Sequence, residues 1–165
     1  MNKITCVLLC IFYGAYLLKL LAQRRQGITT NVMVKGVKSR RAYWIGVLLT
    51  VATYLTCAVQ FLSCFFAPYL GEISLPLGLR VAGLVLTALG DGFFVVAFLT
   101  LKDSWRAGID ESQKTELITD GIYRFSRNPA FVGFDLTYLG CALTLCNGAM
   151  LAAACFAMLM MHLQI

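Results

Sequence analysis

Apolar and polar positions alternate along the chain in long blocks. Apolar blocks cover about Ile4 to Ala22, Tyr43 to Leu70, Leu79 to Leu101, and almost all of Pro129 to Ile165. The first three are each long enough to cross a bilayer as a helix. The last is too long for one span, since about 37 residues in a single helix would run roughly 55 Å. Asn147-Gly148 divides it into about 129–146 and 149–165, which predicts a tight helical hairpin. The pattern therefore predicts an all-α integral membrane protein, one membrane domain over 1–165, with about five transmembrane helices. Its polar loops are 23–42 and 102–128.

Small and weakly polar residues recur at helical spacing within the blocks, as helices in close contact in lipid require. On the second span they are Gly46, Thr50, Thr53, Cys57, Gln60 and Cys64. On the third they are Gly83, Thr87, Gly90 and Asp91, and on the fourth Gly133, Thr137, Gly140 and Thr144. Gly148, Ala152 and Cys155 make the corresponding stripe on the fifth. Asp91 falls near the middle of its span, where a lipid-facing carboxylate costs about 2.5–3.5 kcal/mol, so it is expected to face other helices. There it serves either as a structural acid bonded to a group such as Gln60 or as part of a substrate pocket. Asp135, about one and a half turns into the fourth span, faces a cavity or bonds a neighbouring helix.

Composition agrees with the blocks. Apolar residues make up 59% of the chain and charged residues 13%, and the mean hydropathy is +0.77. A soluble domain of this length would expose too much apolar surface. The net charge of +6 sets orientation rather than affinity for nucleic acid, because the basic residues flank the spans and form no face interleaved with aromatics. Arg24, Arg25, Lys35, Lys38, Arg40 and Arg41 share the first loop with no acid. That places both loops in the cytoplasm and the N-terminus outside, with the plasma (inner) membrane as the expected location. The first span ends in a basic stop-transfer flank and is expected to remain uncleaved. Seven cysteines lie in or beside apolar segments, without the spacing of a zinc site, so no metal is expected.

The polar stretch Leu117 to Gly133, LITDGIYRFSRNPAFVG, concentrates the candidate chemistry. Asp120-Gly121 signals a turn. Asn128 suits a helix N-cap and Pro129 the first helical position. Ser104 to Gly108 reads as a folded turn with an interfacial Trp105. Gly121, Tyr123, Arg127, Pro129, Phe131 and Gly133 also resemble a family pattern. They fall where the isoprenylcysteine carboxyl methyltransferase and phospholipid methyltransferase superfamily has Gly-x-Tyr, then Arg-His-Pro-x-Tyr-x-Gly. Asn128 stands for the usual His, and Phe131 for the usual Tyr.

That resemblance implies an S-adenosylmethionine-dependent membrane methyltransferase acting on a lipidic or isoprenoid acceptor, such as an isoprenylcysteine-type carboxylate, at the cytoplasmic face. It implies cofactor binding by Gly121, Tyr123, Arg127, Asn128, Pro129, Gly133 and His162. It also implies a catalytic role for Arg127 and Asn128, while Asp91 and Asp135 are candidates for the substrate pocket by their position in the spans. A forked guanidinium at Arg127 suits the cofactor carboxylate. The helix start at Pro129 favours the same negative charge, and Tyr123 offers a hydroxyl or an aromatic face to a cation. The resemblance also implies a tail with a Glu-Glu pair, where this sequence stops at His162-Leu-Gln-Ile165, so a truncated member with a more open site is expected. The alternative is a catalytically inactive binding or scaffold protein that keeps the fold. Membrane lipids are the other expected partners.

Overall fold

The computed structural model describes residues 1–27, 39–102 and 120–164. Among them run five α-helices: α1 (Asn2–Arg25), α2 (Arg40–Phe66), α3 (Leu77–Leu101), α4 (Pro129–Leu145) and α5 (Gly148–Gln164). A 3-10 turn, Ala67–Leu70, extends α2, and a second, Gly121–Arg124, precedes α4. With that extension, the first three helices have 24, 31 and 25 residues and are long and apolar enough to cross a membrane. Helices α4 and α5 are apolar but have 17 residues each. This is the all-α membrane architecture, terminal hairpin included, that the blocks predict. Helices α1 and α2 extend into the basic flanks, to Arg25 and from Arg40. Arginine is a good helix former, whereas apolarity marks only the part suited to lipid. The expected turn at 104–108, with Trp105, lies outside the described residues, as do Lys35 and Lys38.

The predicted stripes of α3 and α4 pack directly on each other, antiparallel. A Cβ added to Gly83 would lie 2.7 Å from the Gly140 carbonyl oxygen, and one on Gly133 would lie 2.8 Å from the Phe94 backbone nitrogen. Each glycine is therefore required by the closeness of the facing backbone. At one end of this seam the Arg80 guanidinium donates to the Thr144 carbonyl (3.2 Å), and the Thr144 hydroxyl donates to the Arg80 carbonyl (3.2 Å). Asp91 is buried in the seam beside Thr137. It faces helices, as expected, but not Gln60. Gln60 instead accepts from the Tyr13 hydroxyl (2.5 Å) and donates to Cys141 Sγ (3.5 Å), so one amide joins α1, α2 and α4. Helix α2 packs chiefly on α5 and α1, while α3 packs on α4, and this keeps Gln60 from Asp91.

Two stripes need correction. On α2, Gly46, Gln60 and Cys64 are buried, but Thr50, Thr53 and Cys57 are only half-buried. The Thr50 and Thr53 hydroxyls bond carbonyls of their own helix, at Gly46 and Leu49. The centre of that face carries Leu49, Ala52, Thr56 and Ser63. On α5, Ala152 and Cys155 are exposed and Gly148 is half-buried. The packed face is Met150, Ala153, Ala154, Ala157, Met160 and Met161. Three consecutive alanines put a small residue on every side of α5, so residue size does not fix which side packs.

The hairpin turns at Cys146, whose φ of +49° places it in the left-handed region. Asn147 follows, fully buried. Its carboxamide oxygen accepts from the Met150 N–H (2.8 Å), capping α5, and from the Ser63 hydroxyl (3.4 Å). Its amide donates to the Leu145 carbonyl (3.4 Å). The connection after α2 covers the corner: the Gly148 N–H bonds Gly71 O, and the Ile73 N–H bonds Cys146 O. Helix α1 lies against α3 and α4 together, with the Phe12 ring tilted against Phe94 at 4.6 Å and edge-on to Phe134 at 5.0 Å.

Candidate functional site

The antiparallel pairs bring Arg25, Arg40, Leu101 and Pro129, where the helices stop and start, to one end of the bundle. There α1, α3 and α5 finish and α2 and α4 start. Leu20 near the end of α1 and Leu101 at the end of α3 share one apolar cluster. Arg24, Arg25, Arg40, Arg41, Lys102, Arg124 and Arg127 all belong to this end. Among the described residues, the opposite end carries Lys3, Arg80 and Glu72.

The second 3-10 turn sits on the last turns of α3. Gly121 opens it at φ +61°, a conformation a side chain would strain, and only Thr100 lies near its missing Cβ. Tyr123 lies half-buried with its hydroxyl directed at the Ala97 carbonyl, 3.5 Å away. Burial pushes its phenol up to about 12, which keeps it a neutral hydrogen-bond donor. Arg124, Phe125 and Arg127 are exposed. Among the described residues, neither arginine forms an ion pair.

Asn128 stands at the N-cap position of α4 with Pro129 first in the helix, as expected, but the expected cap bond is missing. The Asn128 carbonyl accepts from the N–H groups of Phe131 (3.0 Å) and Val132 (3.3 Å). Its own N–H donates to the Ser126 hydroxyl (3.2 Å). The φ and ψ of −131° and 64° differ from the extended backbone usual at a capping residue. The exposed carboxamide is thus not used by the helix. What the helix start offers an anion is its dipole more than the Phe131 and Val132 donors, which are occupied.

His162, in the last turn of α5, reaches across to α4. Its Nε2 lies 3.1 Å from Asp135 Oδ2. This decides between the two expectations for Asp135, in favour of a bond to a neighbouring helix. The other carboxylate oxygen of Asp135 and the Gln164 side-chain oxygen are buried without a partner. The structure therefore gathers Gly121, Tyr123, Arg127, Asn128, Pro129, Asp135 and His162 at one end. Gly133 and Asp91 stay in the α3–α4 seam, Asp91 roughly 15 Å along α3 from its end. The Asp135–His162 pairing was not legible beforehand, because it depends on the phase of α5.

This end suits a ligand carrying both signs of charge. The exposed guanidiniums of Arg124 and Arg127, which pair with no acid among the described residues, can hold a carboxylate together with the helix start, while the exposed Asn128 carboxamide oxygen can accept from an ammonium or an amino group. Comparison with curated proteins and with solved structures gives no significant match. The phospholipid methyltransferase family matches residues 79–165, from the first turn of α3 through α4 and α5. That span is just over half of the sequence, and the chain belongs to the phospholipid methyltransferase family.

Proposed function

We propose that the chain is an S-adenosylmethionine-dependent methyltransferase that acts on a lipidic acceptor at the cytoplasmic membrane face. The observation that carries this is Arg127, exposed and without an ion pair among the described residues, beside the uncapped start of α4 and the exposed Asn128 carboxamide. Arg127 holds the cofactor carboxylate with its fork, and the α4 dipole supports the same charge. The Asn128 carboxamide serves its ammonium. Bound there, the cofactor supplies an activated methyl group on a sulfonium. The chain's own work is then positioning and exclusion of water. The basic residues at this end support a cytoplasmic orientation with the N-terminus outside.

Two acceptor chemistries fit a lipid. A carboxylate of the isoprenylcysteine type needs no base. An amine on a phospholipid headgroup does, and it is favoured here by Asp135, whose carboxylate beside His162 suits an arriving cation better than an anion.

Calorimetry with the full chain in nanodiscs tests the reading. Arg127→Ala is expected to weaken cofactor binding about tenfold or more, as the loss of a charge-assisted bond does. Arg127→Lys, which keeps the charge without the fork, should fall between it and the wild type, and Arg24→Ala is the control. Equal binding by Arg127→Ala and Arg24→Ala would remove the site. Cofactor binding without labelled methyl transfer into a membrane lipid extract would make the chain a fold-retaining scaffold.

A further inference from the structure

His162 is the chain's single histidine. Its side chain is 58% exposed, while that of Asp135 is 20% exposed. The carboxylate at Nε2 fixes that nitrogen as the N–H donor. Nδ1 is left with its lone pair. Asp135 is six residues into α4 from Pro129, roughly 9 Å along the axis, so the ring lies toward the end of the bundle that carries Arg127 and Asn128. A contact whose only task is to join α5 to α4 needs any hydrogen-bond donor. An imidazole oriented by a buried carboxylate adds something else: a nitrogen that takes up a proton and a counter-charge for the cation that results.

We infer that His162 is the proton acceptor for an amine-bearing lipid acceptor, with Asp135 as its positioning residue. The inference rests on the methyltransferase reading. An amine headgroup arrives as an ammonium, whose nitrogen has no lone pair to offer. The proton passes from that nitrogen to Nδ1, and the imidazolium is stabilised by Asp135 at Nε2. The released lone pair forms the N–C bond to the methyl as the C–S bond breaks, with its electron pair remaining on sulfur. The ring then returns its proton to water. The other candidates are worse placed. Tyr123 spends its hydroxyl proton on the Ala97 carbonyl and has no basic form at neutral pH. Asp91 is enclosed in the seam, with both oxygens buried.

The test uses the full chain in nanodiscs and His162→Gln, whose amide still donates to Asp135 and keeps the helix contact. Thermal unfolding is expected to match the wild type. Turnover of phosphatidylethanolamine should fall by about 10²- to 10⁴-fold, the usual contribution of a general base. The deficit should shrink for a fluorinated ethanolamine headgroup, which arrives largely unprotonated, and added imidazole should restore part of the rate. Independently of activity, ¹⁵N spectra of the single imidazole in cofactor-free protein should show the Nε2–H tautomer, lost in Asp135→Asn. A proton found on Nδ1 in the wild type would overturn the assignment. So would a His162→Gln enzyme that discriminates the two amines as the wild type does. Wild type that methylates only carboxylate lipids leaves His162 no proton to accept and defeats the inference alone. Wild type that transfers methyl to no lipid defeats the methyltransferase reading together with it.

Discussion

Helix α4 begins at one asparagine and ends at another. Asn147 is buried, and both ends of its carboxamide are engaged, with Met150, Ser63 and Leu145. The Gly71–Ile73 connection closes over it through two backbone bonds. Asn128 is exposed, leaves its helix uncapped, and stands among unpaired arginines and unpartnered buried oxygens. The residue type is the same, and each precedes a helix. The difference lies in what completes the hydrogen bonding: protein at Asn147, and something outside the described chain at Asn128. A fold that satisfies one corner this fully and leaves the other open keeps its rigidity at the first and its binding capacity at the second.

Removing the closed corner should have the largest effect. Asn147→Ala loses a cap worth about 1 kcal/mol and orphans the Ser63 hydroxyl and the Leu145 carbonyl, at about 1–3 kcal/mol for each buried group. A destabilisation of about 3 kcal/mol or more is expected in thermal unfolding. Next comes the seam that connects the two corners. Gly140→Ala would drive a methyl into the backbone of Gly83 and Thr87, and about 1–3 kcal/mol is expected, as for other overpacked cores. Asn128→Ala should cost less than about 0.5 kcal/mol, the level of an ordinary surface change. If it costs as much as Asn147→Ala, the two corners are equivalent and the contrast fails.

A last effect at the open end is a pH dependence confined to alkaline solution. The Tyr123 phenol titrates near 10 when unfolded and about 12 when folded, because burial disfavours its anion. The unfolded chain therefore releases this proton first. The Tyr123 contribution is complete below pH 10 and is lost as pH rises from 10 to 12. Tyr123→Phe should remove that slope, and the phenolate absorbance gained by the folded protein near the upper value should be smaller by one group in Tyr123→Phe than in the wild type.

Much of this was readable in the sequence, and the reasons differ by element. Gly83, Thr87, Gly90 and Gly133, Thr137, Gly140, Thr144 are small residues at helical spacing among large ones, and in lipid that pattern has a direct use. Asp91 was readable because exposure at its depth is costly. Asn147-Gly148 was readable because the apolar run exceeds any bilayer. The packed face of α5 was not, since Ala152, Ala153 and Ala154 point in three directions with equal size. The Asp135–His162 pair went unseen with it. The missing cap at Asn128 was also hidden, because the residue type permits a cap bond and only the backbone angles decide against it.

The hairpin has one more consequence, for the bilayer itself. With 17 residues each, α4 and α5 rise roughly 25 Å, several ångströms short of an average hydrocarbon core of about 30 Å. Beside them, α1, α2 and α3 are long enough to cross fully. Lipids touching the hairpin are therefore drawn thinner than those touching the other side, at a cost of fractions of a kcal/mol per ångström. The hairpin also carries Asp135 and His162, so under the proposed function the leaflet would dip where the acceptor headgroup has to be reached.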